Sequence, residues 1–462
     1  MTVESPTIER LTAADLMSVW PEDKGWPQDI GALAFLDGAR LLDRDGNVRI
    51  EAVREHIGQR LDRVPRFRQL LCLPGLGLGW PFWADAPSFD IAEHVGVFPV
   101  PPPGDEAQVL RVCETLRRQP LERSRPLREM WFLPGLPDGR VGLLMRMHHA
   151  IADGIAGVAT LGAFVDTVPD PPETTASPWT PAPMPTRRDL LEDNLCRRRE
   201  AALRALEVFA HPVGTLRRVR GALPAMRELF AEGSAPRTSV SRRIGSDRTL
   251  AIIRSTLEVA KEIAHAHDAK VNDVLLTAVA RGYRALLQSR GERVDDLVLR
   301  AFVPVSLHQE QPGQAQGNVD AGMAVPLPIG DPDDVRLLER IAAESAERKA
   351  RSRPPGESIF RSIAIQRAFL WYMPHQRMMN AYVTDVPGPP VPLYVAGAPI
   401  RELFPLVPIL GNMSIGVGAL SYADQFNITV VADRRLCPDL GIFVAGVEHA
   451  LDALDDSVRA RR

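Results

Sequence analysis

Residues 146–154 read RMHHAIADG, an apolar run that ends in two histidines and continues to an aspartate and a glycine. The side chains there that can do chemistry are His148, His149 and Asp153. Imidazole titrates near neutrality, so its neutral form can take a proton from a hydroxyl, thiol or amine as that atom attacks an electrophile. Such a base must be aimed, and its tautomer fixed, by a neighbour. Asp153 has two available jobs: capping the helix that Gly154 starts, or making an internal ion pair that freezes the loop. Neither makes it the catalytic acid. In a strand, adjacent side chains point to opposite faces. For the same reason the pair makes a poor metal site, and no third ligand lies nearby in sequence. A packed, hydrogen-bonded pair without catalytic work remains open on these residues alone.

The elements around the motif suit a site on a loop held by rigid structure. GRVGLLMRM reads as a strand entering the double histidine, and GIAGVATLGAFVDTV after it has helical spacing. Upstream, LTAADLMSVW opens with a capping pattern and IGALAFLDG reads as a strand. RIEAVREHIGQRLDRVP and GDEAQVLRVCETLRRQP are amphipathic helices that stop near Pro65 and Pro120. Residues 169–186 are rich in Pro, Ser and Thr and read as extended linker. Residues 187–243 then carry 13 Arg against 7 Asp plus Glu, either a solvated face or a surface for an anionic lipid or phosphorylated ligand. The second half alternates strands (RTLAIIRSTL, DLVLRAFVPVSL, GNVDAGMAVPLPI) with helices (LEVAKEIAHAHDA, VNDVLLTAVARGYRALLQSRG, DVRLLERIAAESAERKARS). It closes with a hairpin over 412–433 and a last helix. The expected organisation is a first lobe over 1–168, linker and basic bridging helices over 169–240, and a second lobe over 241–462. The fold class is α/β (α+β), with two mixed-sheet lobes and a site between them.

Bulk properties exclude several functions. With 462 residues and a net charge of −3, the chain is large enough for two lobes and lacks the basic balance of a nucleic-acid binder. The four cysteines, Cys72, Cys113, Cys196 and Cys437, are scattered without a CxxC pair, which fits a reducing compartment and no zinc site. The N-terminus lacks the features of a signal peptide. The uncharged stretch Leu403–Ala423 is interrupted by Pro405, Pro408, Gly411, Gly416 and Gly418, so turns and buried strands are expected rather than a membrane span. Rival chemistries fare poorly. GNMSIG around Ser414 is not GxSxG, GLGLGW is not GxGxxG before a helix, and no GxxxxGK exists. His265 and His267, at i and i+2 on a helix, do not face each other.

The pattern HHxxxDG resembles the signature of the CoA-dependent acyltransferase superfamily, which includes chloramphenicol acetyltransferases and peptide-synthetase condensation domains. More of the chain resembles one branch, the bacterial wax ester synthase/diacylglycerol acyltransferases. The block 119–154, VNDVLLTAVARGYR with Asn272 and Asp273, TDVPGP with Pro387, Gly388 and Pro389, and SYADQFNITVVAD match that branch in order. Two positions depart from it. The branch has Pro-Leu-Trp where this chain has Pro126, Leu127 and Arg128, and it has Asn where this chain has Asp385.

The resemblance implies chloramphenicol-acetyltransferase-like lobes with a channel between them, and transfer of a fatty acyl group from acyl-CoA to diacylglycerol or a long-chain alcohol. It implies His149 as general base, His148 as support and Asp153, with Gly154, as loop holder. Asn272 and Asp273 are either site residues or helix caps. Pro126, Leu127, Arg128, Pro387, Gly388 and Pro389 are candidates for the substrate channel. No cofactor beyond acyl-CoA as co-substrate is expected. A cytoplasmic protein in peripheral contact with the inner face of the membrane or with lipid inclusions is expected, Arg197, Arg198, Arg199, Arg217 and Arg218 being candidates for that contact. The alternatives are a condensation-type acyltransferase using another alcohol or an amine, and a non-catalytic lipid binder of the same fold.

Overall fold

The computed structural model describes residues 8–152, 157, 160–172, 179–210, 233–306, 320–350 and 363–461. The first half supplies β1 (Glu9–Arg10), β2 (Asp29–Asp37), β3 (Gln69–Cys72), β4 (Phe82–Asp85), β5 (Val95–Val97), β6 (Arg128–Leu133) and β7 (Arg140–His148). Its helices are α1 (Ala13–Val19), α2 (Ile50–Gly58) and α3 (Glu106–Arg118), followed by the bridging helix α4 (Arg187–Ala210). The second half supplies β8 (Arg248–Thr256), β9 (Val298–Ser306), β10 (Asp320–Pro328), β11 (Ala381–Val386), β12 (Tyr394–Val395), β13 (Ala398–Leu406), β14 (Ile415–Tyr422) and β15 (Gln425–Asp433). Its helices are α5 (Leu257–Ala266), α6 (Val271–Ser289), α7 (Asp334–Ala350), α8 (Ile363–Tyr372) and α9 (Leu440–Arg459).

Local signals account for many of these elements. Thr12 and Asp15 form a reciprocal capping box at the start of α1, and the Asp105 side chain accepts from the Gln108 N–H at the start of α3. The β14–β15 hairpin is buried along nearly all of its length, which is why both strands are apolar throughout rather than alternating. The helix expected up to Pro65 ends earlier, at Gly58. Arg60 turns inward there to ion-pair with Asp166 at 2.9 Å, and short turns take the chain onward. Of the helix expected over 154–168, residues 157 and 160–162 are helical, while 153–156 and 158–159 lie outside the described residues. The described parts of the linker, 169–172 and 179–186, carry no helix or strand.

Among the described residues the strands form two six-stranded mixed sheets, β12-β13-β2-β7-β6-β5 and β10-β9-β11-β14-β15-β8, and a small sheet β1-β4-β3. A division at 241 therefore does not describe the sheets. Residues 394–406 leave the second half: β13 pairs antiparallel with β2, closing what would otherwise be an open edge of the first sheet, and β12 pairs in turn with β13. The loan of β13 locks the lobes together. The Tyr422 hydroxyl donates to Ile400 O at 2.9 Å and Asn427 Nδ2 donates to Leu403 O at 3.1 Å. An apolar cluster including Leu33, Phe35, Val112, Leu250, Ile252, Phe404 and Val431 fills the space between the sheets. Glu114 of α3 crosses the same boundary, accepting from the Leu250 N–H at 2.8 Å and the Thr249 hydroxyl at 3.0 Å and pairing with Arg434.

Candidate active site

The double histidine sits where β7 ends. Register pairs His148 with Asp29 of β2, and strand alternation separates the two imidazoles. His148 is 0% exposed. Its Nδ1 accepts from the Ala150 N–H at 3.0 Å, which assigns the proton to Nε2. Nε2 lies 3.3 Å from Glu22 Oε1, close but short of a well-aligned hydrogen bond. Burial alone would push the Glu22 carboxyl up, but His148 and Arg123 outweigh it and hold the group below its ordinary value. The backbone is fixed as firmly: the His148 N–H donates to Leu127 O and the His149 N–H to Gln28 O, both at 2.9 Å.

His149 takes the other face. It is half-buried and lines a narrow, largely apolar cavity of about 90 Å³ between the sheets. Ile30, Gly31 and Ala32 of β2 and Met145 and Met147 of β7 form one wall. Leu403 and Pro405 of β13, next to β2 in the same sheet, extend that wall, and Thr384 and Val386 of β11 and Leu420 of β14 face it from the second sheet. Gly31 is required by closeness: a Cβ there would lie 1.9 Å from Met145 O. Met145 and Met147 give the β7 side of the cavity a deformable surface.

The structure sorts the remaining candidates. Asp153 and Gly154 lie outside the described residues, as do Arg217 and Arg218. Pro389 lines the cavity, and Gly388 explains why: a Cβ at 388 would lie 2.1 Å from Ser421 O, so the turn sits hard against the end of β14. Pro387 enters this turn directly after β11. Pro126, Leu127 and Arg128 do not line the cavity. Leu127 is core and its carbonyl anchors His148, while the Arg128 N–H donates to Pro126 O at 2.8 Å. Asn272 and Asp273 also stay outside it. They open α6, where the Asp273 carboxylate accepts from the Lys270 N–H at 2.9 Å and burial pushes its carboxyl up. Capping is the role this geometry gives Asp273.

Sequence reasoning missed Glu22, Gln28, Gly31, Tyr382 and Thr384. Of these, only Gly31 left a signal, a glycine within a strand pattern. Among the described residues no group of three His, Cys, Asp or Glu side chains is placed to hold a metal.

Comparison with known proteins decides the family. Residues 11–275 match the wax ester synthase/diacylglycerol acyltransferase catalytic domain and residues 316–455 match the C-terminal domain of the same family. The chain belongs to the wax ester synthase/diacylglycerol acyltransferase family. Among its relatives is a probable diacylglycerol O-acyltransferase of Mycobacterium tuberculosis, 29% identical over 435 residues, an alignment that covers 92% of this chain and 90% of the relative. The wax ester synthase/diacylglycerol acyltransferase of Marinobacter aquaeolei superposes with a TM-score of 0.71 at 20% identity, covering 97% of this chain and 99% of that one. The first condensation domain of the calcium-dependent antibiotic synthetase shares the fold at a TM-score of 0.60 and 15% identity, over 98% and 97% of the two chains. Family membership makes acyl transfer the reaction class of this chain.

Proposed function

We propose that the protein moves a long-chain fatty acyl group from acyl-CoA to the hydroxyl of diacylglycerol, and also to long-chain alcohols, with His149 as general base. The observation that supports this reading is the position of His149, an imidazole in the wall of an inter-lobe cavity otherwise built almost wholly of hydrocarbon. Apolar walls favour a fatty chain at about 25 cal/mol per Å² removed from water. Neutral imidazole takes the hydroxyl proton as the oxygen attacks the thioester carbonyl. The new C–O bond forms, the C–S bond breaks, and the proton passes from the imidazolium to the departing CoA sulfur. A thioester is already activated, so no acyl-enzyme is required and acyl-CoA serves as co-substrate without a further cofactor. Tyr382 and Thr384, the hydroxyl-bearing residues of the cavity wall, are our candidates for meeting the tetrahedral oxyanion. His148 acts through the loop, held by Glu22 and Ala150.

The test is incubation with labelled palmitoyl-CoA and dipalmitoylglycerol, hexadecanol or hexadecylamine. We expect labelled triacylglycerol and wax ester from the native chain and a loss of at least about 100-fold for His149→Ala with its melting temperature kept. Transfer to the amine alone favours the condensation-type reading. Lipid retention without any transfer leaves a binder.

Among the described residues no helix is long and apolar enough to cross a membrane. We propose peripheral contact through the loop 73–79 and α4, which Asn194 ties together by donating to Gly77 O at 2.7 Å. Leu73, Leu76, Leu191 and Leu195 are exposed there, beside exposed Arg198 and Arg199. Arg197 is already engaged by Asp193. Leu76→Asp with Arg198→Glu should abolish flotation with phosphatidylglycerol vesicles; undiminished flotation would dismiss this surface.

A further inference from the structure

The cavity beside His149 has a direction, and strand register sets it. The His149 N–H donates to Gln28 O, just before β2, whereas Ile400 pairs with Leu36 near the far end of that strand. Both His149 and Ile400 line the cavity. Gln28 and Leu36 are eight residues apart, which is ~26 Å at ~3.3 Å per residue. Tyr382 pairs with Gly416, where a Cβ would lie 2.6 Å from Ile409 and 3.5 Å from Pro408 O, so Tyr382 stands at the His149 end. Thr384 follows two residues on. Beyond it the wall is hydrocarbon: Val386, Leu403 and Leu420, then Leu393 and Ile400. The cavity is therefore polar where a thioester reacts and greasy along the rest of its length.

An ionic cluster holds the far end. Leu161, Gly162 and Val165 complete the wall there, and the chain leaves that wall through Asp166. The Asp166 N–H donates to Tyr394 O, and its carbonyl accepts from the Tyr394 N–H, both at 2.8 Å. Leu393 is joined to Ile400 in turn, the Ile400 N–H donating to Leu393 O at 2.8 Å. Both Asp166 carboxylate oxygens accept from Arg60 Nη2, at 3.1 and 2.9 Å, and Arg60 is 2% exposed. His56 Nε2 lies 3.3 Å from Phe164 O and from the Ala396 N–H, and Arg63 donates to Ala163 O at 3.3 Å. Burial and then the charge of Arg60 hold His56 below its ordinary value, which leaves Asp166 as the counter-charge to Arg60. A buried ion pair adds little net stability over hydrocarbon of the same shape. What these directional bonds supply here is one fixed position for the segment 161–165.

We propose that Val165, Leu393 and Ile400 receive the methyl end of the donor's acyl chain, and that Asp166, clamped by Arg60, is the positioning residue that keeps this wall in place and so sets a preference for long chains. The inference rests on the acyl-transfer reading and adds to it the determinant of chain length. A narrow cavity takes one extended chain, which acyl-CoA supplies, whereas diacylglycerol brings two. With its thioester beside His149, an extended palmitoyl chain comes close to the far wall, and an octanoyl chain stops less than halfway. Each further methylene buried raises affinity about fourfold.

The experiment compares palmitoyl-CoA with octanoyl-CoA as donors to dipalmitoylglycerol. In the native chain we expect kcat/KM to favour palmitoyl-CoA at least tenfold, through KM. Val165→Phe, which fills the far end, should cut that ratio at least fivefold. Asp166→Asn should cut it by a similar factor, and Arg60→Lys should keep part of it. Arg281→Met breaks a buried ion pair with Asp334 in the second lobe, away from the cavity. It must leave the ratio at its native value even where it lowers the melting temperature; a fall there too would mean that general loosening moves the ratio, and overturns the clamp. A native ratio near one, or an unchanged ratio in Val165→Phe, overturns the subsite, and an unchanged ratio in Asp166→Asn overturns the clamp. Should Asp166→Asn not fold, Arg60→Lys decides the clamp in its place, by a ratio below the native one or equal to it. If neither donor is used at all, the acyl-transfer reading fails separately, and calorimetric titration then decides the subsite. The native chain must bind palmitoyl-CoA at least tenfold more tightly than octanoyl-CoA and lose that excess in Val165→Phe; equal affinities overturn it.

Discussion

At the scale of single residues the two histidines divide the work by strand parity. His149 meets the cavity, and His148 is stitched into the interior by Ala150 and Glu22. Their substitutions should therefore fail in different ways. His149→Ala should lose transfer at unchanged stability. His148→Ala leaves the half-buried Glu22 with one fewer partner and the Ala150 N–H with none, so we expect a loss of about 1–3 kcal/mol in chemical denaturation together with lower kcat. Equal stabilities for the two variants would show that the parity argument is wrong. The double histidine was legible in the sequence, and the family resemblance named His149 of the two; the structure puts that ring in the cavity wall. Glu22 was not legible, because the contact that makes it important spans more than a hundred residues of chain.

At the scale of elements, β11 carries an acidic oddity. Asp385 is pushed up to about 6 by burial. Its folded value lies above the ordinary 3.8, so the folded state binds the proton more tightly than the unfolded state does. Stability should accordingly be greatest near pH 4 and fall as the pH rises towards and through about 6, by up to roughly 3 kcal/mol. Asp385→Asn should remove that dependence, matching the native chain at pH 4 and exceeding it at pH 8 in thermal melts followed by circular dichroism. A parallel pair of pH profiles would disprove the assignment. The β2–β7 pair makes a second demand. Gly31→Ala places a Cβ against the Met145 carbonyl, and we expect at least about 3 kcal/mol of destabilisation with loss of activity. Most elements were legible from period and caps, α1, α3, α6, β7 and the β14–β15 hairpin among them. Asn272 and Asp273 were legible as a motif, but their role was not: the structure puts Asp273 to work on the helix end and both residues outside the cavity wall.

At the scale of the whole molecule the cavity exists because two sheets are held at one spacing. Glu114 fastens α3 to β8 and to Arg434, and β13 is shared between the lobes. Glu114→Ala should strand two buried donors and Arg434 at the lobe boundary, lowering stability by about 2–4 kcal/mol and activity with it, while Glu114→Gln should keep much of both. Comparable losses in both variants would mean that the staple works by charge alone. The same scale explains the apolar stretch after Leu403. It is neither surface nor membrane span but a strand, a turn and a second strand packed between layers, with Gly418 close to Val407.

The sequence by itself determined the double-histidine motif, the element types over most of the chain and the two-lobed class, because periodicity, caps and a short motif are local properties. Only the tertiary structure decided which strand closes the first sheet, which histidine faces the cavity, that Pro389 rather than Pro126 or Leu127 lines it, and that Arg128 is buried without a carboxylate partner among the described residues. Those facts depend on contacts between residues tens to hundreds of positions apart, and no local pattern encodes which distant backbone will satisfy an edge strand or which charge will be left unpaired.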